Sequence, residues 1–421
     1  MAGRRGSLRS SKQRNTPGTL RLLLVTLVVL CLGWGVLAAL TAEQHASAAA
    51  TAVNSSEPLS LDAQRLYQSL ADADVTVSTA YLYGQNQPVS SRQRYQSDIA
   101  AAAADLRTVT AASGNSAISA DLATLDAGLP VYTGYVEDGE VYDAVGMPAG
   151  GSFLQVASAQ MHLVLLPAAR GVYAQENAQL NAASAQATGL PLATIAAVAC
   201  LIVLIVLFRS QRWLTRRTHR TVNAGLFAAT LAGVVALVWL VAAVAVGRSD
   251  LLTANQHGSA PAQTLAQADI GALQARGDEA MNLISRTGNS GFEADFHTIA
   301  AQLDSQLTAA APGTAPVGQA RGDAAAWFAA NSQMQTLDAA YNYGAETRLA
   351  IGAGPDSSAT LFSRLDAALT GAIVTDQATF AAHAPDGKSV FDTLEIAVIV
   401  LPLIMAAGCA WGINRRIAEY Q

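Results

Sequence analysis

Cysteine is scarce in this chain: there are three among 421 residues, Cys31, Cys200 and Cys409. Each lies inside a long apolar run, so the segments between the runs contain none. Those segments therefore have no disulfide framework of the kind that supports small secreted domains. The same shortage excludes a zinc or iron–sulfur site built from several thiolates.

Charged side chains are also few, at 13% of the residues, whereas hydrophobic residues make up 51%. An ordinary soluble domain has roughly 25% charged residues. Four uninterrupted apolar runs account for the difference, and each is long enough for a helix to cross the ~30 Å hydrocarbon core of a bilayer. We predict four membrane spans, at residues 22–40, 190–208, 222–246 and 394–413.

Residues that carry chemistry are missing from the places where a transporter or an enzyme needs them. No acidic, basic or histidine side chain occupies the middle of a predicted span, which disfavours a proton-coupled transporter or pump. The sequence has no glycine-rich phosphate loop, no HExxH, no GxSxG and no pair of carboxylates in apolar surroundings. We expect no catalytic residue, no cofactor and no metal site, and predict that the protein is not an enzyme.

Basic residues concentrate beside the predicted spans, before the first, after the fourth, and in the loop RSQRWLTRRTHR between the second and third. Such an excess marks the cytoplasmic side. We predict a multi-pass cell-membrane protein with both termini cytoplasmic and two large extracellular segments. Fixing this topology is a sufficient role for the loop, although it could also bind an acidic cytoplasmic protein or membrane lipids. Nucleic-acid binding is not expected, because the basic patches lie only next to the membrane. The arginines of the loop are Arg209, Arg212, Arg216, Arg217 and Arg220.

The layout of the chain repeats, since a long segment follows the first span and another of similar length follows the third. Apolar residues in both segments recur at helical spacing, with proline and glycine at the breaks. We predict an all-α membrane protein with four transmembrane helices and two tandem antiparallel helical-bundle ectodomains, produced by internal duplication. The predicted parts are a basic cytoplasmic tail (1–21), a first span (22–40), ectodomain 1 (41–189), a second span (190–208), a basic cytoplasmic loop (209–221), a third span (222–246), ectodomain 2 (247–393), a fourth span (394–413) and a cytoplasmic tail (414–421).

A short motif supports the duplication. The stretch LTAEQHASA follows the first predicted span, and LTANQHGSA follows the third. A signal-peptide cleavage site would not recur after an internal span, so the first span is predicted to be an uncleaved anchor. The paired histidines could titrate together or bind a metal, but Glu43 is replaced by Asn255 and a ligand set is lacking. We interpret the motif as the seam through which a signal leaves the bundle for the span, formed by Gln44, His45, Gln256 and His257.

Tyrosines and acids alternate in VYTGYVEDGEVYDAVG, residues 131–146, and the second segment contains AYNYGAETR. Tyrosine offers a large contact area with little side-chain entropy to lose, so this composition favours a protein-contact surface. A solvated turn around Gly139 is the alternative. The residues nominated as a partner or ligand surface are Tyr132, Tyr135, Glu137, Asp138, Glu140, Tyr142, Tyr341 and Tyr343.

The whole layout resembles an actinobacterial family of four-span membrane proteins: four spans, two helical segments of equal size, and QHASA or QHGSA after the first and third spans. Abundant alanine, and arginine in place of lysine, fit such a source. In that family the partners are a glutamine-binding-type solute-binding lipoprotein and a eukaryotic-like serine/threonine kinase. The resemblance implies a relay of amino-acid availability from lipoprotein to kinase. The alternatives are an accessory subunit of an ABC-type transporter and a structural envelope protein. Ridges of small residues in the spans would allow either close packing of the four spans within the chain or a homodimer; they are formed by Gly225, Ala229 and Gly233 and by Gly408 and Gly412.

Overall fold

The computed structural model describes residues 16–84, 87–112, 117–147, 149–218, 223–285, 291–310 and 315–418. Over these residues the chain is helical and contains no strand. Four helical stretches are long and apolar enough to cross a membrane: Gly18–Tyr81, Ala149–Arg216, Ala224–Ser285 and Ser358–Arg415. The predicted all-α class with four spans is therefore confirmed.

Thirteen α-helices are described. Those of the first half are α1 (Thr16–Thr51), α2 (Glu57–Tyr81), α3 (Val89–Ala112), α4 (Ser119–Ala144), α5 (Ala149–Gln160), α6 (Leu166–Thr188) and α7 (Pro191–Thr218). Those of the second half are α8 (Ala224–Ala254), α9 (Ala260–Ser285), α10 (Gly291–Ala309), α11 (Ala315–Ala339), α12 (Tyr343–Ile351) and α13 (Ser358–Ala418). The last is uninterrupted for 61 residues, from the punctuated region after α12 through the fourth apolar run.

Within the described part of the chain, three five-residue π-helical segments join consecutive α-helices: Ala52–Ser56, Met161–Leu165 and Asn255–Ser259. After each segment a backbone N–H donates to a carbonyl five residues back, as when the Glu57 N–H donates to Ala52. Such insertions widen one turn of the helix and are frequent at functional positions. The third segment coincides with the second copy of the QH motif.

The chain divides into two compact units. The first, here called the span unit, comprises Met1–Ala49, Ala185–Asp250 and Asp386–Gln421. Its helices approach very closely at small residues: a Cβ added to Gly225 would lie 2.6 Å from the Gly408 carbonyl oxygen and from the Gly412 Cα. The ridges of small residues predicted from the sequence are thus used for helix packing within the chain.

The second unit, here called the helical domain, comprises Ala50–Ser184 and Leu251–Pro385. The two long segments share one hydrophobic core, and their first helices, α2 and α9, pack directly on each other. The Gln68 amide donates to Asp269 at 2.5 Å across this contact. The sequence pattern suggested two bundles in tandem; in the structure the segments form one compact unit, because each supplies apolar residues that the other covers. The largest buried side chains of this core are Trp327, Tyr67, Tyr132 and Phe296.

No turn forms at Gly139, because α4 continues to Ala144. Gly139 is instead a point of close helix contact, where an added Cβ would lie 3.0 Å from the Leu154 side chain. The basic loop is likewise largely helical, since α7 runs to Thr218.

Candidate functional site

A buried carboxylate on α2 is the centre of one hydrogen-bond network in the helical domain. Asp74 Oδ1 accepts from the Tyr132 hydroxyl on α4 at 3.3 Å, and Oδ2 accepts from the Ser158 hydroxyl on α5 at 3.2 Å. Nε2 of His162 lies 3.1 Å from the same Oδ2. These four residues are called the first polar centre. A buried carboxylate is costly unless it is hydrogen-bonded, and three partners meet that need.

His162 also faces the second segment. Its Nδ1 lies 3.9 Å from Asp278 Oδ1 on α9, so each ring nitrogen faces a carboxylate from a different segment. Burial lowers the pKa of His162, but the hydrogen bond to Asp74 and the charges of Asp74 and Asp278 outweigh it, and the pKa is raised overall. Burial raises the pKa of Asp278 to about 7 in spite of the imidazole. The protonation of this histidine therefore connects the two segments.

A second buried carboxylate, Glu279 on α9, is the centre of another network, the second polar centre. Its Oε2 accepts from the Trp327 indole N–H on α11 at 2.8 Å, and its Oε1 accepts from the Ser358 hydroxyl on α13 at 2.5 Å. The guanidinium of Arg276 donates to the same Oε1 at 2.9 Å and to the Ala350 carbonyl at 3.3 Å. All five groups lie in a nearly dry interior.

The two polar centres have the same plan. In each, an acid from the first helix of a segment accepts from one aromatic side chain on a later helix and one serine on the next long helix. Sequence reasoning missed both acids. A signal was available for Asp74, because helical spacing places it on the same face of α2 as apolar Leu70 and Val77, where a charged residue needs a buried partner.

A cleft of about 350 Å³ lies where α2 and α3 meet α13, and it is called the acidic cleft. Asp72 and Asp366 line it, and Arg94 lies 3.4 Å from Asp72. Burial, opposed by Arg94 and reinforced by neighbouring carboxylates, raises the pKa of Asp72 to about 7. Burial raises that of Asp98 to about 6 and that of Asp269 to about 8. At neutral pH Asp269 is therefore mostly protonated and Asp72 partly protonated.

A larger cleft, of about 500 Å³, lies between α6 of the first segment and α9 and α10 of the second, and it is called the amide cleft. Its lining is rich in carboxamides, and Arg170 donates to the Gln274 carbonyl oxygen at 3.1 Å. Prominent among the residues that line it are Arg170, Asn177, Asn181, Gln263, Gln302 and Gln306.

Residues 48–185 match the family model of the actinobacterial sensor domain. The matched stretch contains every residue of the first polar centre, and it ends within α6. This similarity supports an actinobacterial sensor protein. No curated protein and no solved structure matches the chain.

The tyrosine-rich stretch, which lies within the sensor match, is only partly a surface. Tyr132 is 0% exposed, so its assignment to a contact surface is wrong: the side chain is needed inside, where it donates to Asp74. Glu137 and Asp138 are exposed, and Tyr135 is half-buried against the core. Glu140 lies 3.2 Å from Arg92. The ring of Tyr142 stacks on Phe153 with the centroids 5.1 Å apart.

The corresponding tyrosines of the second segment lie around the start of α12. Tyr341 is 79% exposed and has a positive φ of 55°, and its ring is 6.4 Å from that of Tyr343. A positive φ is uncommon for an aromatic residue and marks a tight turn that turns this side chain outward.

The two copies of the QH motif have different environments. His45 is buried in the span unit, where Nδ1 lies 2.7 Å from the Ala187 carbonyl oxygen and the ring stacks on Phe391 at 5.3 Å. His257 is exposed within the third π-helical segment, and Gln44 and Gln256 are exposed as well. The two copies of the motif are therefore similar in sequence but differ in burial and in contacts.

The arginines predicted to bind a cytoplasmic partner or lipid lie at the end of α7. Arg209, Arg212 and Arg216 are exposed on this helix. The side chain of Arg217, and all of Arg220, lie outside the described residues.

Proposed function

We propose that this protein is a non-enzymatic membrane sensor that relays an extracellular signal to a cytoplasmic partner. The observation that carries the proposal is the sensor-domain match, which falls on helices continuous with candidate spans. The stretch Gly18–Tyr81 contains an apolar span and then α2, the helix that supplies Asp74. A displacement or rotation of α2 would therefore act on a helical stretch that also contains a candidate span.

The hydrogen-bond networks supply the two-state element that such a relay requires. Asp74 holds α2 to α4 and α5, while His162 faces a carboxylate from each segment. Small shifts are amplified when the contacts between packed helices are discrete and not continuously deformable. Breaking the His162 contact to one segment while keeping the other gives α2 and α9 two distinct relative positions.

The excess of arginine at the cytoplasmic ends of the predicted spans supports placing the helical domain outside the cell. A cysteine-accessibility experiment tests this. A single cysteine at exposed Tyr341, in a background in which the three native cysteines are replaced by alanine, should react with a membrane-impermeant maleimide in intact cells. The same cysteine at Arg212 should react only after lysis. The reverse pattern would overturn the orientation.

We further propose that the signal is amino-acid availability, delivered by an extracellular solute-binding lipoprotein and passed to a serine/threonine kinase. The resemblance of layout supports these partners, and exposed Glu137 and Asp138 with neighbouring Tyr135 and Tyr142 supply a surface suited to protein contact. Exposed Arg209, with the other arginines of α7, would contact the cytoplasmic partner or lipid headgroups.

Crosslinking in intact actinobacterial cells, followed by mass spectrometry, tests the partners. We expect a periplasmic-binding-type lipoprotein as the crosslinked partner. The double charge reversal Glu137→Arg with Asp138→Arg should reduce the yield of that crosslinked complex. Asp304→Arg on α10, an equally exposed acid away from the tyrosines, is the matched control and should leave the yield unchanged. Capture of an ABC permease together with loss of solute uptake on deletion would favour the transporter alternative instead. An unchanged amino-acid response in a deletion strain would favour a structural role.

The shared plan of the two polar centres supports the proposed internal duplication. Asp74 and Glu279 both lie on the first helix of their segments, and Tyr132 and Trp327 both lie on later helices. In an experimental structure, superposing one segment on the other should bring these acids into register. Superposition that places an apolar residue on Asp74 would contradict a common origin.

A further inference from the structure

We propose that the amide cleft of the helical domain is a binding site for a small carboxylate that carries additional polar groups. This inference goes beyond the relay, because it gives the chain a ligand of its own, independent of any lipoprotein. The cleft has a volume of about 500 Å³, within the range of small-molecule pockets.

Charge selects the carboxylate. Arg170 is the one charged side chain among the described residues that line the cleft, and no acid accompanies it there. Its guanidinium is exposed and donates to the side-chain amide oxygen of Gln274, an uncharged acceptor, at 3.1 Å. A carboxylate would offer Arg170 a charge-assisted, two-pronged partner, which is stronger than an amide oxygen. A cationic ligand would find no opposite charge.

Carboxamides select the rest of the ligand. Each Asn or Gln side chain both donates and accepts, so the lining fits hydroxyl, amide or ammonium groups on one small molecule. Asn181 and Gln263 face each other with the donor and acceptor 3.5 Å apart, at the limit of a hydrogen bond. The Nε2 of Gln263 is buried and makes no hydrogen bond among the described residues. The hydrogen bond between these two amides is therefore weak, as expected of side chains whose polar groups are available to a ligand.

The hydroxyl of Tyr173 is a second buried polar group whose hydrogen-bonding capacity is not satisfied among the described residues. It lines the cleft and is 4% exposed, and its hydroxyl makes no hydrogen bond of normal length with the described residues. Burial raises the pKa of this phenol, and nearby Asn177 offsets part of the rise. A buried hydroxyl without a partner costs free energy, so a modest side-chain shift that brings it to a ligand would be favourable.

The position of the cleft connects binding to sensing. Arg170 and Tyr173 belong to α6 of the first segment, whereas Gln263 belongs to α9 and Gln302 to α10 of the second. A ligand held by both sides would stabilise one relative position of the segments, as any ligand does that binds one state better than another.

The test uses the full-length protein in lipid nanodiscs and measures binding by titration calorimetry. The probes are L-malate and L-asparagine as polar carboxylates, glucose as a neutral polyol and putrescine as a cation. The carboxylates should bind and the other two should not. Arg170→Gln should weaken binding at least about tenfold, the loss expected for one charge-assisted hydrogen bond, and Ala178→Trp should abolish it by filling the cleft from an exposed position.

Two matched variants control for indirect effects. Arg321→Gln removes an exposed arginine of α11 that lies 3.8 Å from Asp304 on α10. Ala104→Trp adds the same bulk to an exposed position on α3; both variants should bind like the wild type. Binding that survives Ala178→Trp, preference for glucose or putrescine, or failure of both carboxylates at about 10 mM, well above a 1 mM dissociation constant, would each overturn the proposal. Partner crosslinking is measured separately, so the relay can stand if the cleft fails.

Discussion

The indole nitrogen of Trp327 lies 2.8 Å from Oε2 of Glu279, and both side chains are almost completely buried. The indole ring also packs edge-on against Phe296 at 5.3 Å and Phe362 at 5.2 Å. One tryptophan thus fills the core with its ring and satisfies a buried carboxylate with its N–H. Arg276 forms an ion pair with the same carboxylate, so its charge is compensated as well as hydrogen-bonded.

Trp327→Phe should destabilise the helical domain by about 1–3 kcal/mol, because it keeps an aromatic ring but leaves one carboxylate oxygen of Glu279 without its donor. Tyr132→Phe should cost less, since the bond to Asp74 is longer, at 3.3 Å. Thermal unfolding followed by circular dichroism measures both. Tyr341→Phe removes a hydroxyl from an exposed side chain and should change nothing. A Trp327→Phe protein as stable as the wild type would show that the second polar centre is not needed for the fold.

Stability should fall as the pH rises from about 4 to about 8, because buried acids keep protons in the folded state that the unfolded chain releases. Burial raises the pKa of Asp269 to about 8, helped by Asp366 and Asp72 and opposed by the Gln68 amide. Asp269 is protonated in the folded protein over a range where it is ionised in the unfolded chain. Its stabilising contribution is thus complete below its ordinary pKa and lost as the pH approaches 8. The raised pKa of His162 acts in the same direction.

Asp269→Asn checks that sign, because an amide keeps an acceptor for Gln68 and cannot ionise. Its melting temperature should depend less steeply on pH than that of the wild type. The exposed control Asp356→Asn should keep the full slope. A steeper slope in Asp269→Asn would contradict the protonated state assigned to this residue.

Gly225→Val should prevent correct assembly of the span unit. Its added Cβ would lie 2.6 Å from the Gly408 carbonyl oxygen, a backbone atom that cannot move aside without displacing a helix. The yield of monodisperse protein in gel filtration is the measurement. Gly33→Val is the matched control, because nothing lies within 4 Å of its added Cβ. Equal yields for the two variants would show that the close contact of Gly225 with Gly408 is absent from the assembled span unit.

His45→Ala should destabilise the protein more than His257→Ala, by about 1–3 kcal/mol. It removes a buried bond to Ala187 and the stack on Phe391, whereas His257 is exposed. Thermal unfolding of both variants makes the comparison. Equal losses would indicate that the two motif copies act alike in spite of their different surroundings.

Much of the fold could be predicted from the sequence, because the controlling signals are local. Apolar run length identifies the spans, and helical spacing of residues such as Leu70 and Val77 identifies the buried face of α2. The alternative of a turn at Gly139 was wrong. Glycine favours a turn in the sequence, but it also permits close contact between helices, and that is its role here. Only the neighbouring helix, with Leu154 on it, decides between the two.

The candidate site could not be predicted, because its members meet only in three dimensions. Tyr132 looked like a surface residue beside its acidic neighbours, and its partner Asp74 lies far away in the sequence. The amide cleft shows the same difficulty: Arg170 and Gln302 are ordinary polar residues on separate helices until α6 packs beside α9 and α10. Helical periodicity predicts which face of a helix is buried, but it does not predict which other helix packs against that face.

The contact of Gly35 with Pro402 can form only after nearly the whole chain has been synthesised. An added Cβ on Gly35 would lie 2.7 Å from the proline ring, so the first and fourth apolar helices touch. The ribosome delivers these helices at opposite ends of the chain, and such non-local contacts form late. The first apolar helix therefore lacks its final neighbour until both long segments and the fourth apolar helix have been synthesised. Insertion factors that shield it during that interval should limit the yield of the assembled protein.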